Sequence, residues 1–308
     1  ITLSIGPGVE FIIGPRSLFW IEGCLQAAGT QTHPIRFNRR PCTDYWGALY
    51  FSSTRQDNRL VWCNFTYGRA TGGASAVVTA RSSKILIDNC LISHVYQGEG
   101  INASSSAMEV RNTEICYTGE GEFGSFDGVS MDGCNPAVLE YSHIHHLYGK
   151  ADMADINNSR PGYVRYCQLH NGSDDGIDVD RGSIVAIGNR IWSHGDQAMS
   201  LIGPYKSTVE DNVIYACTYG IALKDNQKAT INHNTIVDCR TAGLRLYEKH
   251  PGYGGGHATV LNSIIQFNGA AYTMDAVSSA TFDHCDVQLT PPPPGEGNFN
   301  ADPLFVNQ

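Results

Sequence analysis

The sequence predicts an all-β fold, a single-stranded right-handed parallel β-helix of about twelve coils. A short apolar block returns every 21 to 25 residues: Ala107-Met-Glu-Val, Gly128-Val-Ser-Met, Met153-Ala-Asp-Ile, Gly176-Ile-Asp-Val, Ala198-Met-Ser-Leu, Gly220-Ile-Ala-Leu and Gly243-Leu-Arg-Leu. Within a block such as Ile177-Asp178-Val179-Asp180 the apolar side chains alternate with polar ones, as in a strand with one buried face. Composition agrees, because 33 glycines and only 17% charged residues suit short strands joined by many turns. A leucine-rich repeat has a similar period, but its Leu/Asn consensus is absent. Stacked at ~4.8 Å, such coils would make a rod roughly 55–60 Å long.

The elements follow in order. Residues 1–38 repeat less cleanly, although Val9-Glu-Phe-Ile-Ile and Ile35-Arg-Phe read as strands. In each later coil a second apolar segment follows a turn marked by Asn89, Asn112, Asn189, Asn212, Asn234 and Asn262, with Tyr141 and Tyr166 in their place in two coils. Asn tolerates left-handed backbone angles, and stacked amides can bond one another, so a column of Asn is expected to stabilise a repeated turn. Residues 119–127 and 250–257 read as insertions. Pro291 to Pro294 cannot continue a ladder. One domain over 1–290 is therefore expected, with a tail over 291–308 that packs on the helix or caps it.

The ten cysteines (Cys24, Cys42, Cys63, Cys90, Cys116, Cys134, Cys167, Cys217, Cys239 and Cys285) show no CxxC pair, which argues against zinc fingers and thioredoxin-like motifs. They read as small buried side chains inside the coils, with a few disulfides open if the protein is extracellular. No apolar run reaches the ~18 residues of a membrane span. The net charge of −9 disfavours a nucleic-acid backbone as partner. The chain opens on Ile1-Thr-Leu-Ser-Ile without a signal-peptide pattern, as expected of a mature or trimmed domain.

A repeat turns the string into a lattice, so chemistry is read by columns. One outward column contains Glu109, Ser130, Asp155, Asp178, Ser200, Ala222 and Arg245; the next contains Arg111, Asp132, Asn157, Asp180, Ile202, Lys224 and Tyr247. A third set precedes the strand: Asp127, Asp152, Asp175, Gln197, Tyr219 and Ala242, with Asp174 and Asp196 one residue earlier. Eight aspartates (127, 132, 152, 155, 174, 175, 178 and 180) thus fall on three adjacent coils. Carboxylates stacked at ~4.8 Å repel, so protons or a cation are expected among them. An all-oxygen wall suits Ca2+ better than Zn2+. Further along, Lys206, Lys224, Arg245 and Lys249 turn the face basic, and His94, Tyr117, His146, Asn171 and Ser193 flank it.

Acid followed by base could grip an acidic polysaccharide, with Lys224 or Arg245 removing a proton or steadying an enolate-like charge and His146 as an alternative acid or base. Asp155, Asp180, Lys206, Tyr219 and Tyr247 are expected along the sugar path, and Trp192 and Tyr215 could stack on sugars. Plainer accounts exist for each: structural Ca2+ or turn caps for the aspartates, surface positions for Lys224 and His146, a salt bridge for Arg245, and simple packing for the aromatics.

These residues resemble the pectin-degrading β-helix superfamily over about 1–287, from Leu3-Ser-Ile-Gly-Pro-Gly-Val-Glu-Phe to a tail of Asn300-Ala-Asp-Pro-Leu-Phe-Val. Ser173-Asp-Asp-Gly-Ile-Asp is similar to the calcium-binding stretch of one pectate lyase family. That resemblance implies Asp152, Asp174, Asp175 and Asp178 as Ca2+ ligands. The family's catalytic lysine stands in the Asp178 column one coil on, where this chain has Ser200; Lys224 lies a further coil away and one column over. Against polygalacturonases, Asp175, Asp196 and Arg245 are kept, whereas Gln197, Tyr219 and Tyr247 replace an Asp, a His and a Lys. Gly220-Ile-Ala-Leu-Lys-Asp also resembles uncharacterised bacterial surface β-helix proteins. The expected function is a secreted or cell-surface Ca2+-dependent lyase of an acidic glycan. An inverting hydrolase using Asp175 and Asp196, and a non-catalytic adhesion module, stand as alternatives. The oligomeric state is open.

Overall fold

The computed structural model describes residues 1–121 and 124–306. Every named strand pairs in parallel with its counterparts one coil away, giving sheets of twelve, twelve and eleven strands that wind as a right-handed β-helix of about twelve turns. The first sheet runs from Thr2–Ile5 to Ser279–Asp283, the second from Glu10–Ile13 to Asp286–Val287 and the third from Phe19–Ile21 to Tyr272–Met274. The first coil joins the same three ladders despite its weak sequence repeat. Its inward Phe11 stacks on Phe37 at 4.9 Å, and Phe37 on Phe65 at 4.8 Å, so aromatics fill a column that aliphatics fill later. That continuation is Ile92, Ile115, Ile144, Leu169, Ile191, Ile214, Ile236 and Ile265, all fully buried. Each such side chain contributes ~1.5–3 kcal/mol by leaving water.

The repeating Gly at the head of the third-sheet block has a steric cause. A Cβ on Gly176 would sit 2.6 Å from the Ala198 carbonyl oxygen, and one on Gly128 would sit 2.8 Å from that of Met153. Backbone enters the strand there too close to the next coil for a side chain.

Corners are where the sequence reading needs correction. Between the first and second sheets most coils carry one left-handed residue, including Asn89 (φ 53°), Asn112 (47°), Tyr141 (49°), Tyr166 (56°) and Asn262 (48°). Asn189, Asn212 and Asn234 do not share that position. They stand one residue later, buried, in a column with Cys90, Thr113, Ser142, Cys167, Ser263 and Cys285. Each side chain there accepts the backbone N–H of the same position in the preceding coil: Asn189 Oδ1 from Cys167 at 2.9 Å, Asn212 Oδ1 from Asn189 at 2.9 Å, Asn234 Oδ1 from Asn212 at 3.0 Å and Ser263 Oγ from Asn234 at 3.1 Å. The third-to-first corner repeats the device, Ser83 Oγ accepting from Thr54 and Ser106 Oγ from Ser83, both at 3.1 Å.

All ten cysteines are free thiols, eight of them buried, while Cys42 is exposed and Cys24 half-buried. The buried ones include rungs of these ladders, Cys90 Sγ lying 3.4 Å from the Cys63 amide nitrogen. Of the 119–127 insertion, residues 122 and 123 lie outside the described residues. The 250–257 insertion is a glycine turn in which Glu248 Oε1 accepts from Gly252 and Gly254 at 3.0 and 2.8 Å. After the last strands the tail folds back, with the Phe299 N–H donating to Cys285 and the Val287 N–H to Phe299. Among the described residues no helix is long and apolar enough to cross a membrane.

Truncating a rung strands a buried amide. Asn212→Ala, which leaves the Asn189 N–H without its acceptor, is expected to cost about 1–3 kcal/mol. Asn112→Gly at the exposed left-handed corner should change stability by less than about 0.5 kcal/mol. Urea denaturation of both variants checks the difference; equal losses would refute the rung assignment.

Candidate functional site

The third sheet assembles the acidic residues, with one change of register against the sequence reading. The block Ala107-Met-Glu-Val belongs to strand Ala107–Arg111 of the first sheet, so Glu109 and Arg111 leave the columns assigned to them. The third-sheet strand of that coil is Glu99–Ser104, whose Asn102 pairs with Ser130. The outward column therefore reads Asn102, Ser130, Asp155, Asp178, Ser200, Ala222 and Arg245. Glu99, which the sequence reading missed, heads the neighbouring set. The signal was the Gly100-Ile-Asn-Ala block, displaced from Gly128-Val-Ser-Met by the 119–127 insertion and so off the regular beat.

That neighbouring set is itself a ladder of rungs. Asp127 Oδ1 accepts the Asp152 N–H at 3.0 Å, Asp152 Oδ1 the Asp175 N–H at 2.9 Å and Asp175 Oδ1 the Gln197 N–H at 2.7 Å. One oxygen of each carboxylate is committed to the fold, and the other is left for chemistry. Ser130 Oγ stands 3.5 Å from Asp155 Oδ2, while Asp155 Oδ1 is buried without a partner. Oxygens of Asp152, Asp174 and Asp175 lie within 4.8 Å of one another.

Crowding in a low-dielectric groove penalises ionisation. Burial, then the charge of Asp127, pushes Glu99 up to about 8. Burial raises Asp127 to about 6, and burial with the charges of Asp178 and Asp127 raises Asp152 to about 10. Burial with the charges of Asp127 and Asp178 lifts Asp155 to about 8, and burial with the charge of Asp178 lifts Asp175 to about 7. Asp174 and Asp178 are also raised by burial; for Asp178 a Ser200 hydrogen bond and the charge of Lys224 oppose the rise.

Lys224 is 4% exposed. Its backbone stands in the Ile202 and Tyr247 column, but the side chain reaches back one coil, Nζ donating to Gln197 Oε1 at 2.7 Å and Ser200 Oγ at 2.8 Å. The ammonium thus arrives at the slot that Ser200 occupies, beside Asp178. Arg245 lies between two rings, its guanidinium carbon 4.6 Å from the Tyr219 centroid and 4.2 Å from that of Tyr247. Asp196 follows the Asp175 coil, and its charge bears on Asp174 and Asp175.

Other residues named from the sequence lie elsewhere. Lys206 is exposed at the start of first-sheet strand Lys206–Glu210. Asp180 sits at the far end of its third-sheet strand, paired with Arg181 at 3.5 Å. His146 is the left-handed residue after second-sheet strand His143–His145, and Trp192 and Tyr215 stack on that same sheet at 5.7 Å.

A family model described as the right handed beta helix region matches residues 122–253 and, overlapping them, 155–291. No curated protein matches by sequence. Among solved structures, the periplasmic alginate epimerase AlgG is similar over 90% of this chain and 78% of its own, at 10% identity and a TM-score of 0.61. A mannuronic acid specific polysaccharide family 6 lyase from human gut microbiota covers 92% and 85%, at 10% identity and 0.51. The A-module of the Azotobacter vinelandii mannuronan C-5 epimerase AlgE4 covers 91% of each chain, at 10% identity and 0.51. At these identities the likeness is one of fold, and at that level the superfamily resemblance seen in the sequence is borne out. With its model match spanning more than half of the residues, the chain belongs to the right-handed beta helix family.

Proposed function

We propose that this is a carbohydrate-active β-helix protein, secreted or cell-surface, that cleaves an acidic glycan by β-elimination along the third sheet. The observation that carries the reading is the Lys224 ammonium held at the Ser200 slot beside Asp178, with Arg245 three coils beyond Asp178 in the same outward column. The structural relatives named for alginate, mannuronan and mannuronic acid support a uronate substrate.

Asp152, Asp174, Asp175 and Asp178 fit a hard divalent cation such as Ca2+, because their donors are all oxygen and three converge within 4.8 Å. When bound, such an ion supplies positive charge that holds a uronate carboxylate and acidifies the adjacent C5–H. Lys224, in its neutral form, takes that proton on Nζ as the C4=C5 double bond forms and the C4–O bond breaks, the departing oxygen taking a proton from solvent, with Ser200 and Gln197 orienting the amine. Arg245 offsets the charge that develops on the sugar carboxylate. Asp155, Tyr219 and Tyr247 line the approach.

A panel of uronate polymers tests the activity, with the ultraviolet absorbance of an unsaturated uronate as readout. Lys224→Ala is expected to lower the rate about 10²–10⁴-fold. Reducing ends without new absorbance would instead favour hydrolysis by Asp175 and Asp196, a reading that the raised carboxyl of Asp175 supports. No product on any polymer, with EDTA still lowering stability, would leave a non-catalytic module.

The raised carboxyls also set a pH dependence. In the unfolded chain they titrate near 3.8, or 4.5 for Glu99, so the folded state binds their protons more tightly. Their contribution is full at low pH and lost as pH rises through about 6 for Asp127, 7 for Asp175 and 8 for Asp155 and Glu99. In EDTA the thermal midpoint should therefore fall from pH 5 to pH 8. Added Ca2+ should raise it more at pH 8 than at pH 5, since the ion needs ionised ligands. Thermal scans at the two pH values decide, and a Ca2+ response that is flat or larger at pH 5 would refute the metal assignment.

A further inference from the structure

Beyond the acidic groove, the outward face of the second sheet gathers a different set of ligating groups. Parallel register stacks Cys116, His145, His170 and Trp192 in one column and sets Glu114 against His143 in the next. His143 and His145, two apart on one strand, face the same side. His143 Nε2 lies 2.8 Å from His170 Nε2, and His145 Nε2 lies 3.2 Å from Glu114 Oε1. One ring nitrogen from each of the three histidines falls within 4.8 Å of the other two.

The rings are held. His170 is sandwiched between His145, 5.2 Å away and 6° from parallel, and Trp192, 4.0 Å away and 13° from parallel. His145 Nδ1 lies 2.6 Å from His146 Nδ1, whose Nε2 lies 2.9 Å from Asn171 Nδ2. Hydrogen bonding alone gives one consistent chain, Asn171 to His146 to His145 to Glu114, each donating to the next. It leaves the buried His170 Nδ1 with no partner whichever nitrogen carries the proton. Two imidazoles on a tetrahedral ion at ~2.0–2.1 Å stand about 3.3 Å apart. From 2.8 Å, His143 and His170 need part by only about half an ångström, a small side-chain rotation.

We propose that His143, His145 and His170 bind a borderline divalent transition ion of the Zn2+ class, with Glu114 as the carboxylate that orients the His145 ring. Three imidazole donors select such ions over Ca2+, which the all-oxygen donors of the third sheet suit. The ligands come from two consecutive coils, so the ion would clamp them together and stabilise the rod in proportion to its occupancy.

The test uses the whole chain, stripped with a chelator and titrated with Zn2+ alone by calorimetry and thermal scans. Zn2+ is expected to raise the thermal midpoint and to bind wild type and Asp178→Asn alike. His143→Gln, on the half-buried side of the cluster, should weaken binding at least tenfold. Co2+ titration of the wild type needs no variant and should give visible bands of a low-symmetry, nitrogen-containing site. Equal Zn2+ affinity in wild type and His143→Gln, loss of binding in Asp178→Asn alone, or no visible Co2+ bands would each overturn the proposal.

Discussion

The constraint on which the rest of the structure depends is the backbone N–H left over at the corners after the first and third sheets. A parallel β-helix changes direction three times per coil, and most changes use a left-handed residue; after the first and third sheets the amide that follows it is turned toward a side chain of the next coil. Buried without an acceptor, such an amide costs on the order of 1–3 kcal/mol. This chain answers with a polar side chain from the next coil, as Asn212 does for Asn189 and Ser83 for Thr54. Because each rung serves its neighbour, the coils are coupled in series, and the rungs after the first sheet are small groups able to accept a hydrogen bond: Ser, Thr, Cys or Asn.

The acidic groove is built on the same device. Asp127, Asp152 and Asp175 occupy rung positions at the entry to the third sheet, each committing one oxygen to the next coil's amide. The backbone thereby holds carboxylates at a spacing that free side chains would avoid. Burial and mutual repulsion then drive Asp152 to about 10 and Asp155 to about 8. A fold that enforces that crowding has charge to offset, by protons, by the Lys224 ammonium or by a cation. Such groups are candidates for function because their energetics are costly to maintain for structure alone.

Two sheets of one rod thus present two chemistries. The third carries oxygen donors and then Lys224 and Arg245; the second carries a histidine and aromatic column from His145 to Tyr215. The period lets any residue type recur as a stripe, so each outward column is free to specialise while the inward strand positions stay apolar.

Sequence by itself determined the architecture, the beat and the face of the aspartates, because alternation and period are local properties of the string. It placed Asp152, Asp155, Asp175 and Asp178 on neighbouring coils correctly. It failed where a one-residue offset or an insertion intervenes: Asn189 was grouped with Asn112, Glu109 was put in the column that belongs to Asn102, and Glu99 was overlooked. Only the tertiary structure decided what the side chains reach. Lys224 looked one coil and one column away from the Ser200 slot, yet its four-carbon stem crosses that distance because Gln197 and Ser200 supply the acceptors its buried charge requires. The grouping of His143, His145 and His170 likewise went unremarked in the sequence. Their convergence depends on ring rotations set by stacking on Trp192, which no spacing along the chain encodes.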